Sequence, residues 1–544
     1  PMGEERVGDV SNVVFTNGFE EELKKVAPED EFYKLSENFG VVYFNNVTAE
    51  KIKSVGSISQ IVRVEPLIRL DLFGKISQGT TNGVNANEEI GVNFFKNNPN
   101  LTLSGKGVLI AIIASGIDYL HPDFIYPDGT SKIVYLWDQT KDGSPPNGYN
   151  IGTEYTRDQI NEAISNNDST LSSDDEGYGT ILSGICAGLG NVNKDYAGVA
   201  EDAELIVVKL GKINGYYNNA MSYIAGQYAY EKAFNLNRPL LINEYTGSNS
   251  LVGITTRNLT NLAFYTRGLC IISAAGDEGN TQTHTSGKLL NKGYIKELEL
   301  EITDEEEYID IEIWMNRPDT ARVSIISPTG EISKEVEVSD FNIITGKFDL
   351  EDTLYSITYV YPTTFSGQQQ TIVNLINVKR GIWKIRLTGD YITNGIYNAY
   401  LPNREFLNPD TKFRNSNPSS TINYPATYND TITVGAYDSI NRSLWPGSSR
   451  GPTIQESLKP DFIAPGVNII GPYPGGGYGM ITGTSPSVSY TAGCAAIFIE
   501  YLLVDNNYPN KVFVQKLRTL FRVGAVREED QEYPNNNSGY GVLN

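Results

Sequence analysis

The sequence predicts an α/β protein: a doubly wound parallel sheet, preceded by a small α/β unit and interrupted by an all-β insert. Three observations carry this. Continuous apolar runs recur at helix-length spacing, the pattern of parallel strands buried on both faces. Strictly alternating segments between about residues 288 and 420 have the period of antiparallel strands with one solvated face. The first 75 or so residues show both strand and helix signals within a compact length.

The N-terminal unit reads as strands at Val13-Val14-Phe15, Val41-Val42-Tyr43-Phe44 and Gln60-Ile61-Val62-Arg63-Val64. Between the last two, Thr48 is placed to N-cap a short helix through Lys53, with Gly56 suited to its end. Gly74 to Asn87 is rich in Gly, Asn, Ser and Thr and reads as a linker. The parallel sheet then begins with Val108-Leu109-Ile110-Ala111-Ile112-Ile113. It continues with Leu205-Ile206-Val207-Val208, Leu240-Leu241-Ile242 and Leu269-Cys270-Ile271-Ile272. A doubly wound sheet places function at the carboxyl ends of its strands. The insert announces itself with Glu297-Leu298-Glu299-Leu300-Glu301-Ile302, Tyr308-Ile309-Asp310-Ile311-Glu312-Ile313-Trp314 and Trp383-Lys384-Ile385-Arg386-Leu387. Parallel-sheet vocabulary returns at Thr431-Ile432-Thr433-Val434-Gly435, leads to a helix beginning near Ser485, and ends in a helix over about Lys511–Phe521. The expected domains are residues 1–80, 88–287, 288–420 and 421–544.

The 544 residues carry 43 Lys and Arg against 65 Asp and Glu, a net charge of −22. That balance argues against a nucleic-acid partner, which needs a basic face, and disfavours anionic lipid. No uninterrupted apolar stretch approaches the roughly 18 residues of a spanning helix. The first residues lack a basic region followed by an apolar one, so the expectation is a chain made without export. Cys186, Cys270 and Cys494 lie far apart in apolar runs and read as buried free thiols. Asp304-Glu305-Glu306-Glu307 reads as a solvated charged turn rather than a metal site, and no loop has the spacing of a calcium-binding EF-hand. No cofactor is expected. The only histidines are His121 and His284. His121 is expected to pack within its loop, and His284, on a polar loop, is a weaker candidate for ligand binding.

Four segments in order carry a resemblance. Ala111-Ile112-Ile113-Ala114-Ser115-Gly116-Ile117-Asp118, with His121-Pro122-Asp123-Phe124 after it, resembles the aspartate motif of subtilisin-like serine proteases. Gly177-Tyr178-Gly179-Thr180 resembles their histidine motif, Ala274-Ala275-Gly276-Asp277-Glu278-Gly279 their oxyanion-asparagine motif, and Gly483-Thr484-Ser485 their nucleophile motif. Ser448-Ser449-Arg450-Gly451-Pro452, Lys459-Pro460-Asp461 and Ala464-Pro465-Gly466 are further signatures. The resemblance implies a subtilisin-like fold but not its chemistry. The aspartate position holds Ala114, the histidine position Tyr178 and the asparagine position Asp277, leaving only Ser485. The triad mechanism needs a base to take the serine proton and return it to the leaving amine. A phenol with an ordinary pKa near 10 is a poor base at neutral pH. An ionised Asp277 would face a developing oxyanion with like charge, whereas a protonated one could donate a single bond, so this departure alone is not disabling. In subtilisin, loss of the histidine alone costs about 2 × 10⁶ in kcat, roughly 9 kcal/mol.

The N-terminal unit, the insert and the segment Tyr424-Pro425-Ala426-Thr427-Tyr428-Asn429-Asp430-Thr431 narrow the resemblance to the clostridial germination-specific (Csp) subtilisin-like proteases. Active members of that family cleave the zymogen of a cortex-degrading hydrolase during spore germination, and others are regulatory pseudoproteases. The resemblance implies a pseudoprotease of the bacterial spore with a jelly-roll insert. Its partners would be protease relatives, the hydrolase zymogen or a germinant signal. Its prodomain, residues 1–80, would stay uncut and bound in cis. The alternatives are a residual serine hydrolase using Ser485 with an unusual base, or a stabilising partner with no sensing role.

Overall fold

The computed structural model describes residues 9–45, 49–251, 254–339, 342–363, 366–508, 510 and 512–544. Thr48 and Lys511, the expected starts of two helices, lie outside the described residues. The helices there span Ala49–Gly56 and Val514–Gly524.

The N-terminal unit is a four-stranded antiparallel sheet in the order Glu31–Ser36, Phe39–Phe44, Asp9–Phe15, Ile61–Pro66. Ala49–Gly56 and a second helix, Phe19–Val26, pack on one face through Phe19, Leu23, Val55 and Ile58. Phe19–Val26 is a helix that no expectation above covers. Its signal was present, with Glu20–Glu22 in the first turn and Lys24 and Lys25 in the last, complementing the helix dipole. The other face rests on the main body, where Phe39 meets Tyr223 edge-on with ring centroids 5.0 Å apart.

The central sheet runs Ser443–Leu444, Ile432–Asp438, Leu269–Ala274, Leu240–Glu244, Leu109–Ala114, Glu204–Lys209, Ile133–Asp138, Thr153–Thr156, with Phe462–Pro465 pairing beside Ile432–Asp438. Every expected parallel strand is present. Leu109 is registered on Leu240 on one side and Glu204 on the other. Its six residues are all buried, so alternation is absent where both faces are covered. The helices Tyr178–Ala187 and Thr484–Ile499 pack against this sheet and against each other, carrying the histidine-like and nucleophile-like motifs to one place. Thr484–Val504, which includes a π-helical last turn, is long and apolar enough to cross a membrane by length and composition, contrary to the expectation of no such stretch. Its most apolar window is 72% buried in protein, as befits the central core helix.

The insert is a sandwich of two antiparallel sheets. One holds six strands between His284–Lys288 and Asn342–Phe348, and the other holds Thr320–Ile326, Gly381–Tyr391, Ile295–Ile302 and Lys412–Phe413. Leu298, Leu300 and Ile302 point into its core while Glu297, Glu299 and Glu301 face outward, so the strict alternation marked a half-buried strand as expected. The acidic turn departs from expectation. Asp304, Glu305 and Glu307 are exposed, but Glu306 is buried and accepts hydrogen bonds from the Asn408 N–H and the Thr411 hydroxyl. The three cysteines are free and buried, and burial pushes the Cys186 and Cys494 thiols up to about 12.

The segment expected to be a linker is the largest correction. Lys75–Gln78 is a strand, paired antiparallel with Gly477–Thr482. Its residues have little strand propensity, and the pairing is imposed by a partner some 400 residues away.

Candidate active-site cleft

The parallel sheet places Ala114 at the carboxyl end of its central strand, fully buried. The loop that follows is fixed by Asp174. Its carboxylate accepts from the Ser115 hydroxyl at 2.6 Å, the Gly177 and Thr180 amides at 2.9 and 2.7 Å, and the Thr180 hydroxyl at 2.6 Å. Asp174 thereby anchors the start of the Tyr178–Ala187 helix, a role that no motif announced. Gly179 must be glycine here, because a Cβ would come within 1.7 Å of the Gly116 carbonyl oxygen.

Tyr178, the first residue of that helix, donates its hydroxyl to the Gly74 carbonyl at 2.8 Å. Burial raises the phenol well above its ordinary pKa, and the charges of Asp71, Glu176, Glu405 and Asp277 raise it further. It is a proton donor throughout the neutral range.

Ser485 lies in the first turn of the helix Thr484–Ile499 and is fully buried. Its Oγ donates to the Tyr245 carbonyl at 3.3 Å, and the Phe73 N–H donates to the same carbonyl at 3.1 Å. Asp277 caps the same helix, accepting from the Thr484 N–H at 2.9 Å and the Thr484 hydroxyl at 2.8 Å. Burial pushes its carboxyl up to about 6, against the lowering effect of the Thr484 bonds and of the Gly74 amide. The Asp277 carboxylate is therefore engaged as an acceptor at the start of this helix.

The cleft is occupied by the chain itself. Arg69–Leu72 lies between Tyr217–Asn218 and Thr246–Gly247 and is antiparallel to both, with Leu70 opposite Tyr217 and Asp71 opposite Gly247. Phe73 is buried against Gly247, where a Cβ would sit 2.6 Å from the ring. Gly74 has φ +114 and approaches Gly483 so closely that a Cβ on Gly483 would lie 2.6 Å from the Gly74 Cα. Lys75 then pairs with Thr482 and Ile76 with Ile481. One continuous segment therefore crosses the Ser485 turn, hydrogen-bonded as a strand on both sides.

Gly74 brings Tyr178, Asp277 and the Gly483–Ser485 turn together, and the histidines do not join them. His121 is buried, with Nε2 on the Gly477 carbonyl at 2.9 Å and Nδ1 accepting from the Asp123 amide, the packed loop residue expected. His284 belongs to the sandwich. Both its ring nitrogens are engaged, by the Asn417 carbonyl at 2.8 Å and Asn398 Oδ1 at 3.0 Å, and burial lowers its pKa. It has no nitrogen left for a ligand. Lys459-Pro460-Asp461 proves structural. The buried Asp461 carboxylate takes Lys459 Nζ at 3.1 Å, Arg522 and the Thr433 amide, tying the last helix to the sheet. Among the described residues, no group of three His, Cys, Asp or Glu side chains is arranged to hold a metal ion.

A subtilase family profile matches residues 105–297 and 403–541, leaving out most of the sandwich. The chain belongs to the subtilase family. It is 42% identical over 85 residues to subtilisin amylosacchariticus of Bacillus subtilis subsp. amylosacchariticus, covering 16% of this chain and 20% of that protein. It is 28% identical over 277 residues to a subtilisin of Bacillus sp. (strain TA39), covering 50% of this chain and 54% of that protein. The chain thus spans between a fifth and about half of the length of these curated relatives. The solved structure of the Clostridium perfringens CspB protease superposes with a TM-score of 0.76 at 27% identity, over 84% of this chain and 95% of that one.

Proposed function

We propose that this subtilase is a pseudoprotease of the bacterial spore, which regulates germination by binding protein partners or a germinant signal. One observation carries the loss of catalysis: the position that should supply a general base holds a phenol kept protonated and spent on the Gly74 carbonyl. Ala114 offers nothing to orient a base, and Asp277 is committed to the helix terminus. Ser485 keeps its place because a small side chain suits the crowded turn.

Two further observations support the Csp assignment. The likeness to the CspB protease extends over nearly all of that chain. The insert's strands, counted in sequence, pair as first–ninth–third–seventh in one sheet and fourth–eighth–second in the other, the winding we read as a jelly roll. In this reading residues 1–80 are a prodomain held in cis. The protein partners are protease relatives or the cortex-hydrolase zymogen.

A fluorophosphonate probe with intact-mass analysis tests the proposal. We expect a single uncut chain and no label on Ser485. Stoichiometric labelling of Ser485, or spontaneous cutting near residue 74, would establish a working serine hydrolase instead. Pull-down from spore extracts, with mass spectrometry, then identifies what is bound.

A further inference from the structure

Arg69 opens the cleft strand, and its guanidinium sits in a box built from three parts of the chain. The guanidinium carbon lies 5.4 Å from the Tyr216 ring centroid, 5.6 Å from that of Tyr308 and 5.1 Å from that of Phe406. Its Nη2 donates to Asp310 Oδ1 at 2.7 Å. Tyr216 precedes the Tyr217–Asn218 strand, in which Asn218 is registered opposite Arg69. Tyr308 and Asp310 come from the sandwich strand Glu306–Met315, two residues apart and so on one face. Phe406 ends the short turn Arg404–Phe406. The walls support one another without Arg69. Tyr216 and Phe406 meet edge to face with centroids 5.6 Å apart, and the Tyr308 hydroxyl is fixed by Asn374 Oδ1 at 2.8 Å.

We propose that this box is an arginine-selective subsite of the cleft. Its ligand is the planar guanidinium of an arginine on an extended strand, four residues before the side chain that fills the Phe73 position, and here it is filled in cis by Arg69. Aromatic faces attract a cation within about 6 Å of the centroid. A delocalised guanidinium satisfies such faces and a carboxylate together, whereas an ammonium is a compact, strongly hydrated charge. Three of the four walls (Tyr308, Asp310 and Phe406) come from the insert, so the sandwich shapes what the subtilase cleft accepts. The inference goes beyond the pseudoprotease reading and stands whether or not Ser485 reacts.

The test is chemical rescue in the full-length chain, read by hydrogen exchange. Arg69→Ala empties the box, and the Phe73 amide and its neighbours over residues 69–78 should exchange about tenfold faster than in wild type. Ethylguanidinium should restore protection, while ethylammonium at equal concentration should not. Arg69→Lys should exchange nearer to Arg69→Ala than to wild type. In the Arg69→Ala/Tyr308→Leu double variant the rescue should disappear. Equal rescue by the two cations, wild-type exchange in Arg69→Lys, or rescue that survives loss of Tyr308 would each overturn the assignment. Amides of Leu109–Ala114 report global folding. Should Arg69→Ala loosen them too, Arg69→Lys, which keeps the charge and the stem, decides alone.

Discussion

In the pseudoprotease reading Tyr178 stands where an imidazole would accept a proton, and its environment drives it the other way. Burial and four surrounding carboxylates all favour the neutral phenol. Asp277 shows the complementary change in the same reading, an acceptor on the first amide of the Thr484–Ile499 helix where a donor would be expected. These two substitutions and Ala114 are local, and the peptide is already threaded past Ser485. We therefore expect the triple variant Ala114→Asp/Tyr178→His/Asp277→Asn to cut its own chain. Phe73 N–H is anchored on Tyr245 and Gly74 C=O is held by residue 178, so the bond between residues 73 and 74 lies at the Ser485 turn. Intact mass should show a new N-terminus at Gly74. A folded triple variant that stays whole, or is cut elsewhere, would refute the register. The motif positions were readable because glycine-rich turns and short apolar strands keep them at fixed spacing. Asp174 was not, because an acid in a polar loop carries no sign that it gathers four hydrogen bonds.

Contacts between elements set two further expectations. Asp461 is a buried carboxylate that Lys459 and Arg522 hold below its ordinary pKa despite burial. Asp461→Asn would leave Lys459 buried without its counter-charge, and we expect a loss of about 3–5 kcal/mol, measured by denaturant unfolding. Glu312 joins the sandwich to the body. It accepts from the Leu251 amide and from the Ser250 hydroxyl, Trp314 and Gln370 side chains. Burial pushes its carboxyl up to about 7, with the Asp310 charge adding to the rise. A carboxyl raised in the folded state binds its proton more tightly there than when unfolded. Its favourable contribution is complete below the unfolded pKa and is lost as pH rises through about 7. The unfolding free energy of wild type should therefore fall between pH 5 and 8 relative to Glu312→Gln, by about 3 kcal/mol. Parallel pH profiles for the two proteins would exclude this role. Among the elements, apolar strands buried on both faces were legible in sequence. Lys75–Gln78 was not, since its strand character comes from Gly477–Thr482, and the box around Arg69 likewise needs residues from three distant segments.

At the scale of the whole molecule, the N-terminal unit, the subtilase body and the sandwich share their contacts rather than hanging from linkers. Asn249 of the body bonds the Leu401 carbonyl and, through its amide, Asn403 Oδ1. Glu278 receives the Arg404 amide, while Trp314, Tyr400 and Ile454 form a small joint core. Removing residues 290–420 would strip these partners from buried groups. We expect the shortened chain to be digested by added protease much faster than the full one, and equal resistance on a time-course gel would count against it.

If the cleft strand stays uncut, as the pseudoprotease reading proposes, it also governs how the cleft meets other molecules. A severed segment can diffuse away, but one still joined at both ends is a competitor at fixed stoichiometry, with an effective concentration on the order of millimolar for a short tether. A peptide arriving from another protein must outbid that internal occupant. Its apparent affinity falls by the factor with which the tethered strand closes the site. Occupancy of the cleft is thereby set by the strength of the internal grip, and anything that loosens Arg69–Gln78 tunes binding across the whole concentration range without altering a single contact to the incoming chain.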